Sequence, residues 1–129
     1  MGFYSSAGKE QMALFFRYVH FDDNTRKFSV HEDFVTFLHC PRTSGEALFE
    51  ILMDFMAKKG IPMENGRGQG YDGGGNMIGK HKGLQARVTR AYPKMHYHWC
   101  DAHCLNLCIG KACEEPLVKK VVKELPQLI

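Results

Sequence analysis

The stretch RGQGYDGGGNM, residues 67–77, decides the fold of this chain. It places five glycines around Tyr71 and Asp72, and glycine allows backbone conformations and close approaches that other residues do not. A short β-capable piece, Gln69–Tyr71, precedes Asp72, and a helical pattern follows it. A carboxylate at the end of a strand can bind a metal or a polar ligand. Because Asp-Gly is also a strong turn pair, an Asx-type turn is the competing interpretation.

The spacing of these glycines matches the sequence motif of dinucleotide-binding proteins. Gly68, Gly70 and Gly73 fit G-x-G-x-x-G. That motif requires a buried apolar strand before it and an acidic residue about 20 residues later. Pro62 and Asn65 precede the glycines here, and neither required context is present. The nucleotide-binding interpretation is therefore rejected.

Size and composition indicate one ordinary globular domain. The chain has 129 residues, of which 44% are hydrophobic and 24% charged. No segment is long and apolar enough for a membrane span, and the N-terminus has no signal-peptide core. We therefore expect an intracellular protein whose five cysteines are reduced thiols.

Positive charge is concentrated after the glycine-rich stretch. The net charge is only +3, but no acidic residue occurs between Asp72 and Asp101. That interval carries five of the 17 basic residues, namely Lys80, Lys82, Arg87, Arg90 and Lys94. Such a block can contact phosphates, and a solvated helix face is the alternative.

Periodicity predicts a mixed α/β domain with the order β-β-α-β-α-β-α-α. Gln11–Val19 has apolar groups at both parities, which indicates a strand covered on both faces. It should pair as a hairpin with Lys27–His39, which we expect to bend near residues 31–33. A capping box at Thr43–Glu46 predicts a helix after it, and a second helix is predicted over Met77–Ala91. A short strand is predicted over Met95–Cys100. A helical pattern from Leu105 to Ala112 and a last helix over Glu115–Leu125 complete the chain.

Histidine and cysteine crowd residues 96–108. The pair Cys100 and His103 has a spacing compatible with zinc, although a structural zinc site needs four ligands and no second pair is evident. The cysteines can instead pack as small hydrophobic residues, and His103 can hydrogen-bond at a strand-to-helix junction. We expect the junction and not a tetrahedral metal site, with a zinc-binding module as an alternative.

Two motifs carry a family resemblance. RGQGYDGGGNMIGKHKGLQAR, followed by HYHWCDAHCLNL, closely resembles hAT-superfamily transposases and the transposase-derived proteins of the zinc-finger MYM-type and repressor-like group. The resemblance extends over about residues 9–115. It implies a ribonuclease H-like core in which three acidic residues hold Mg²⁺ or Mn²⁺ for phosphoryl transfer on DNA. It also marks motif positions at Gly70, Tyr71, Gly73, Asn76, Cys100, His103 and Asn106.

The acidic residues depart from the pattern of that family. Asp72 matches the second acid and would be the metal ligand if other acids completed the site. The place of the first acid is occupied by Met1 to Ser5, without a carboxylate, and the third lies in the family beyond Glu124. We therefore expect a partial ribonuclease H-like sheet that lacks most of its first central strand. We expect no enzymatic activity, since one aspartate cannot hold two catalytic metals. The alternative is that this chain is part of an active transposase whose other acids lie outside it.

The resemblance and the charge pattern suggest two kinds of partner. Lys80, Lys82, Arg87 and Arg90 are the candidate contacts for weak, non-specific DNA binding, and the resemblance implies a nuclear location. A protein-interaction remnant, with a protein or a second copy bound along an exposed sheet edge, is the competing expectation. A membrane partner is not expected.

Overall fold

The computed structural model of the chain describes residues 2–6 and 9–116, and the side chains from residue 10 onward. The chain divides after His98: one compact unit ends there, and a second begins at Trp99. Within the described residues, no helix is long and apolar enough to cross a membrane.

The first unit begins with a three-stranded antiparallel sheet. Strand β1, Gly2–Ser6, pairs with β2, Lys9–Asp22, and β2 pairs with β3, Lys27–His39. The predicted hairpin is thus confirmed, and β1 is a strand that the sequence pattern did not predict. At the turn, Asp22 Oδ1 accepts hydrogen bonds from the backbone of Asn24 at 2.9 Å and of Thr25 at 3.4 Å. The Thr25 hydroxyl donates to the other oxygen of Asp22 at 2.8 Å, and together these bonds lower the pKa of the Asp22 carboxyl.

Two details of the hairpin differ from the prediction. The register shifts where Leu14 faces Thr36 and Phe15 faces Phe34, so the irregularity lies at Val35 and not at residues 31–33. Only Met12–Leu14 are buried, whereas most of β2 beyond them is exposed. The expectation of a strand covered on both faces is therefore wrong for the outer half, because the helices that supply the cover pack only near the base of the hairpin.

Helix α1, Gly45–Lys58, buries the predicted apolar face. Leu48, Leu52 and Met56 belong to the core, and Ile51 and Phe55 pack against it. The cap lies one residue later than predicted: the Ser44 hydroxyl, not Thr43, accepts the hydrogen bond from the backbone of Ala47 at 3.2 Å. Ser44 is the residue with extended backbone angles before the first helical turn, which is the geometry that an N-cap requires.

A second, two-stranded sheet follows a short 3-10 turn at Met63–Asn65. Strand β4, Gly68–Tyr71, pairs with β5, His96–Trp99. We expected a single mixed sheet, but the described residues form two. Periodicity identifies which residues form strands, whereas the edges that meet are decided by tertiary contacts.

The helix predicted over Met77–Ala91 is two helices, α2 at Gly75–Ile78 and α3 at Leu84–Ala91. The break coincides with Gly79 and Gly83. A Cβ at Gly79 would lie 2.7 Å from the carbonyl oxygen of Gly75, and one at Gly83 would lie 2.7 Å from that of Gly79. The close approach of these backbone segments explains why glycine occupies both positions.

The core of the first unit lies between α1, the base of the hairpin and the glycine-rich segment. Its most deeply buried side chains are Met12, Leu48, Tyr71, Met77, Leu84 and Val88. Tyr71 and Met77, the residues on either side of the loop at residues 72–76, are both buried in this core. The loop between them is thereby held against packed side chains on each side.

The second unit contains helix α4, Asp101–Glu114. It confirms the helical pattern predicted from Leu105 to Ala112. Leu105, Leu107 and Ile109 are exposed, and no residue of α4 is buried. The helix predicted over Glu115–Leu125 lies almost entirely outside the described residues.

Candidate functional site

Strand β4 is anchored by a buried polar network. Gln69 and Tyr71 share one face of the strand, because side chains alternate along it, and both are buried. The Tyr71 hydroxyl donates to Gln69 Oε1 at 2.8 Å. The Gln69 amide nitrogen donates to Thr89 Oγ1 at 2.9 Å and to the Met95 carbonyl at 3.0 Å. One side chain therefore connects β4 to α3 and to the start of β5.

Burial alters the chemistry of Tyr71. Desolvation is the main cause that raises the pKa of its phenol, and the neighbouring Tyr97 raises it further. The two rings stack with centroids 6.0 Å apart. Tyr71 therefore remains a neutral hydrogen-bond donor at any physiological pH, and its contribution is structural.

Asp72 follows β4 directly, as the sequence predicted. The residue is half-buried, and its oxygen Oδ1 is buried without a hydrogen-bond partner among the described residues. The loop backbone does not donate to this oxygen, so Oδ1 is not held as an Asx turn would hold it. A buried acceptor that is left unsatisfied costs free energy, so a donor that reached Oδ1 would be bound favourably.

Gly74 and Asn76 follow Asp72 in the loop after β4. A Cβ on Gly74 would lie 2.8 Å from Asn76 Oδ1 and 3.7 Å from Asp72 Oδ1. Both oxygens therefore lie near the space that a Cβ on Gly74 would occupy. The Asn76 amide donates to the Thr43 carbonyl at 2.8 Å, which ties the loop to the residues before α1. Gly70 is on the exposed side of β4, and Gly73 is half-buried in the loop.

The donor set around Asp72 does not fit the metals that the resemblance implies. Mg²⁺ and Mn²⁺ at a two-metal centre need several oxygen ligands, most of them carboxylates. Over the part of the chain that the structure describes, no group of three or more His, Cys, Asp or Glu side chains converges. Asp72 offers one carboxylate and Asn76 one amide oxygen, which are too few ligands for two metals.

The four predicted cations do not form one uniform surface. Lys80 and Lys82 lie in the exposed turn between α2 and α3, and Arg90 is exposed at the end of α3. Arg87 is different, because its guanidinium pairs with Glu46 of α1 at 3.4 Å and donates to the Lys82 carbonyl at 3.3 Å. Arg87 thus joins α1 to the turn between α2 and α3.

A shallow cavity of about 250 Å³ lies beside these cations. It is lined by Phe49 of α1 together with Arg87, Arg90 and Ala91 of α3. Two cationic side chains and one aromatic ring are groups that can contact a phosphate and a base. The sequence pattern did not indicate Phe49, because its place beside α3 depends on how the two helices pack.

Cys100, His103 and Asn106 belong to the second unit, at the start of α4 and within it. Cys100 is the N-terminal flanking residue of α4, and its side chain makes no capping bond. Its carbonyl accepts the hydrogen bond from Cys104 N at 3.0 Å. His103 is half-buried and Asn106 is exposed. Cys100 and His103 supply two of the four ligands that a structural zinc site needs.

Comparison with known proteins agrees with the motifs. The DUF4371 family model, described as the ZMYM1/FAM200, RNase-like domain, matches residues 5–83. This range spans the hairpin, α1, β4 and the Asp72 loop. No solved structure matches the chain. The mixed α/β arrangement with its two small sheets is consistent with an RNase-like domain of transposase origin. From the motifs, the fold and the extent of this match, we conclude that the chain belongs to the DUF4371 family of ZMYM1/FAM200 RNase-like domains.

Proposed function

We propose that this chain is a catalytically incomplete, ribonuclease H-like domain derived from an hAT-superfamily transposase, and that it retains weak, sequence-independent affinity for DNA. A nuclear location accords with that role. The observation that carries the proposal is the exposed cationic turn beside the Asp72 loop, which is formed by Lys80 and Lys82.

These cations are available for phosphates. Within the described residues, the ion pairs involve Arg17, Arg42, Lys58 and Arg87, so Lys80, Lys82 and Arg90 have no acidic partner there. A lysine in this state releases condensed counterions when it meets a nucleic-acid backbone. Arg87 is occupied by Glu46 and contributes less.

The incomplete catalytic site supports the other half of the proposal. Asp72 presents one buried carboxylate oxygen, and no group of three or more His, Cys, Asp or Glu side chains converges in the described segments. A site of this kind can take part in contacts with a bound strand through polar side chains but lacks the ligands for two metals. Binding without cleavage is therefore the expected property of the isolated chain.

DNA binding measured against salt concentration tests the proposal. Fluorescence anisotropy with a labelled duplex should give a dissociation constant on the order of 10⁻⁴ to 10⁻⁶ M at physiological salt. The double variant Lys80→Ala with Lys82→Ala should bind more weakly and lose up to about two units of salt slope.

The matched control is Lys58→Ala with Lys59→Ala, which removes the same charge from the other end of α1. It should leave the salt slope of the parent unchanged. If the parent shows no salt-dependent binding even at low ionic strength, the nucleic-acid proposal fails, and the interaction of a protein with a sheet edge takes its place.

A further inference from the structure

The outer half of the β2–β3 hairpin has two unlike faces. One face, here called the ribbon face, is made by alternate residues of each strand: Phe15, Arg17, Val19 and Phe21 on β2, with Phe28, Val30, Glu32 and Phe34 on β3. The opposite face carries polar groups, among them Tyr18, which donates to Asp33 at 2.7 Å, and Ser29, whose Oγ lies 2.9 Å from His31 Nε2.

The ribbon face is apolar and open. Phe28 is 74% exposed, Val19 63% and Val30 60%, and Phe15 and Phe34 are about half exposed. With about 150–250 Å² for a whole aromatic side chain, these five residues present roughly 500 Å² of apolar surface. That area is near the upper end of the patches found on proteins that remain monomeric, about 300–600 Å².

On the ribbon face, each residue of β2 forms a row with the residue of β3 that lies opposite it, and the two residues of a row are alike or opposite in charge. Phe15 lies opposite Phe34, Val19 opposite Val30, and Phe21 opposite Phe28. The aromatic pairs are in contact, with ring centroids 5.4 Å apart for Phe15 and Phe34 and 4.7 Å apart for Phe21 and Phe28. The remaining row pairs opposite charges, with Arg17 Nε 3.4 Å from Glu32 Oε1. Each row thus holds two similar apolar residues or one cation and one anion.

We propose that the ribbon face docks against the same face of a second copy of this chain, with a two-fold axis parallel to the strands. That rotation places each β2 residue over its β3 counterpart in the partner. Phe meets Phe, Val meets Val, and Arg17 meets the partner's Glu32, so every row is matched in shape and charge. Isologous contact of this kind is the commonest form of homodimer.

The other face-to-face two-fold arrangement fits less well. An axis perpendicular to the strands would place the Arg17–Glu32 row over the Val19–Val30 row of the partner. The Arg17–Glu32 pair would then be buried against valine with only its partner in the same hairpin, whereas the parallel axis places a second opposite charge over each of the two. The Arg17–Glu32 row therefore favours a second copy as the partner and a two-fold axis parallel to the strands.

The area predicts a weak, reversible dimer. Two such faces bury about 1,000 Å² of apolar surface, the lower limit for a specific interface. The dissociation constant should be on the order of 10–100 µM, and the two sheets should pack about 10 Å apart. The contact uses the broad face of the hairpin and not the edge of β3.

Sedimentation of the full chain over concentrations that bracket this dissociation constant tests the proposal. The parent should pass from monomer to dimer. Arg17→Glu and Glu32→Arg, each alone, should weaken the dimer roughly tenfold or more, because like charges then face each other twice. An equimolar mixture of the two variants should recover the affinity of the parent. In the mixed dimer, the two acidic side chains of one variant face the two basic side chains of the other. The variant with both substitutions should recover that affinity as a homodimer.

Lys27→Glu is the matched control. It reverses a charge on the opposite face of the same hairpin and should not change the dimer. Circular dichroism of every variant establishes that it is folded, and the recovery on mixing excludes misfolding as the cause of a loss. A parent that remains monomeric throughout, or single variants that do not complement each other, would overturn the proposal.

Discussion

At the residue scale, Gln69 is the side chain that organises the site. It is 7% exposed and satisfies its amide through Thr89, Met95 and the hydroxyl of Tyr71. Sequence reasoning singled out Tyr71 as a motif residue but not Gln69. The signal was present in the alternation of Gln69 and Tyr71 with Gly68 and Gly70, which marks one buried face of a short strand.

Tyr71→Phe should destabilise the fold by about 1–3 kcal/mol, because it leaves Gln69 Oε1 buried without a donor. Chemical denaturation measures this as a lower midpoint with an unchanged slope. Tyr92→Phe is the control, since Tyr92 is only half-buried, and its free energy of unfolding should change by less than about 0.5 kcal/mol. Equal losses in the two variants would show that the hydrogen bond to Gln69 is not the cause.

Stability should also fall at alkaline pH through Tyr71. Its folded pKa is raised above the ordinary value of 10.0, so the unfolded chain loses this proton first as the pH rises. The stabilisation is complete below pH 10 and declines above it, by up to about 1.4 kcal/mol per pH unit. The free energy of unfolding of Tyr71→Phe, measured from pH 9 to 11 in parallel with the parent, should decline less steeply. Identical slopes would contradict the assignment.

At the element scale, three glycines allow helices to approach closely. Gly45 begins α1, and Gly79 and Gly83 bound the turn between α2 and α3. A Cβ at Gly45 would lie 2.9 Å from Gly83 Cα, which is closer than real side-chain carbons come. Periodicity predicted one helix through this region because the apolar spacing continues across the break. The glycine contacts that interrupt it depend on which backbone lies nearby.

Gly83→Ala should destabilise the protein by about 1–3 kcal/mol, since its Cβ would meet backbone atoms of Gly79. Gly75→Ala is the matched control: a Cβ there meets nothing within 4 Å, and alanine in the first turn of α2 should be neutral or stabilising by up to about 1 kcal/mol. Thermal unfolding of the two variants separates the effects. A loss in Gly75→Ala equal to that in Gly83→Ala would mean that close packing at the turn is not the reason for glycine.

At the scale of the whole molecule, catalysis would require carboxylates from several elements to converge. Asp72 is at the end of β4, and in the residues that the structure describes no group of three ligands gathers around any point. Whether acids meet is a property of the complete tertiary arrangement, which a single motif does not specify. The family match supports the transposase origin of the domain.

We expect the isolated chain to show no cleavage or strand transfer of DNA with Mg²⁺ or Mn²⁺, because one carboxylate cannot hold two metals. A gel assay with labelled duplex measures this, and Asp72→Asn is the matched variant, which should be indistinguishable from the parent. Metal-dependent cleavage that Asp72→Asn abolishes would refute the prediction. It would restore the alternative of an active transposase core.

The sequence by itself determined the local elements and the family. Aromatic and branched residues predicted β2, alternation predicted β5, helical spacing predicted α1, and the glycine-rich motif located Asp72 at the end of a strand. These properties depend on neighbours within a few residues, which the pattern records. The family match rests on the same order of residues.

The tertiary structure alone decided how these elements meet. It separated the strands into two sheets, broke the predicted helix at its glycines, and paired Arg87 with Glu46, 41 residues away. It also left the outer hairpin face exposed, although the sequence of β2 is apolar at both parities. Burial depends on what packs against a strand from elsewhere in the fold, and local periodicity carries no information on that cover.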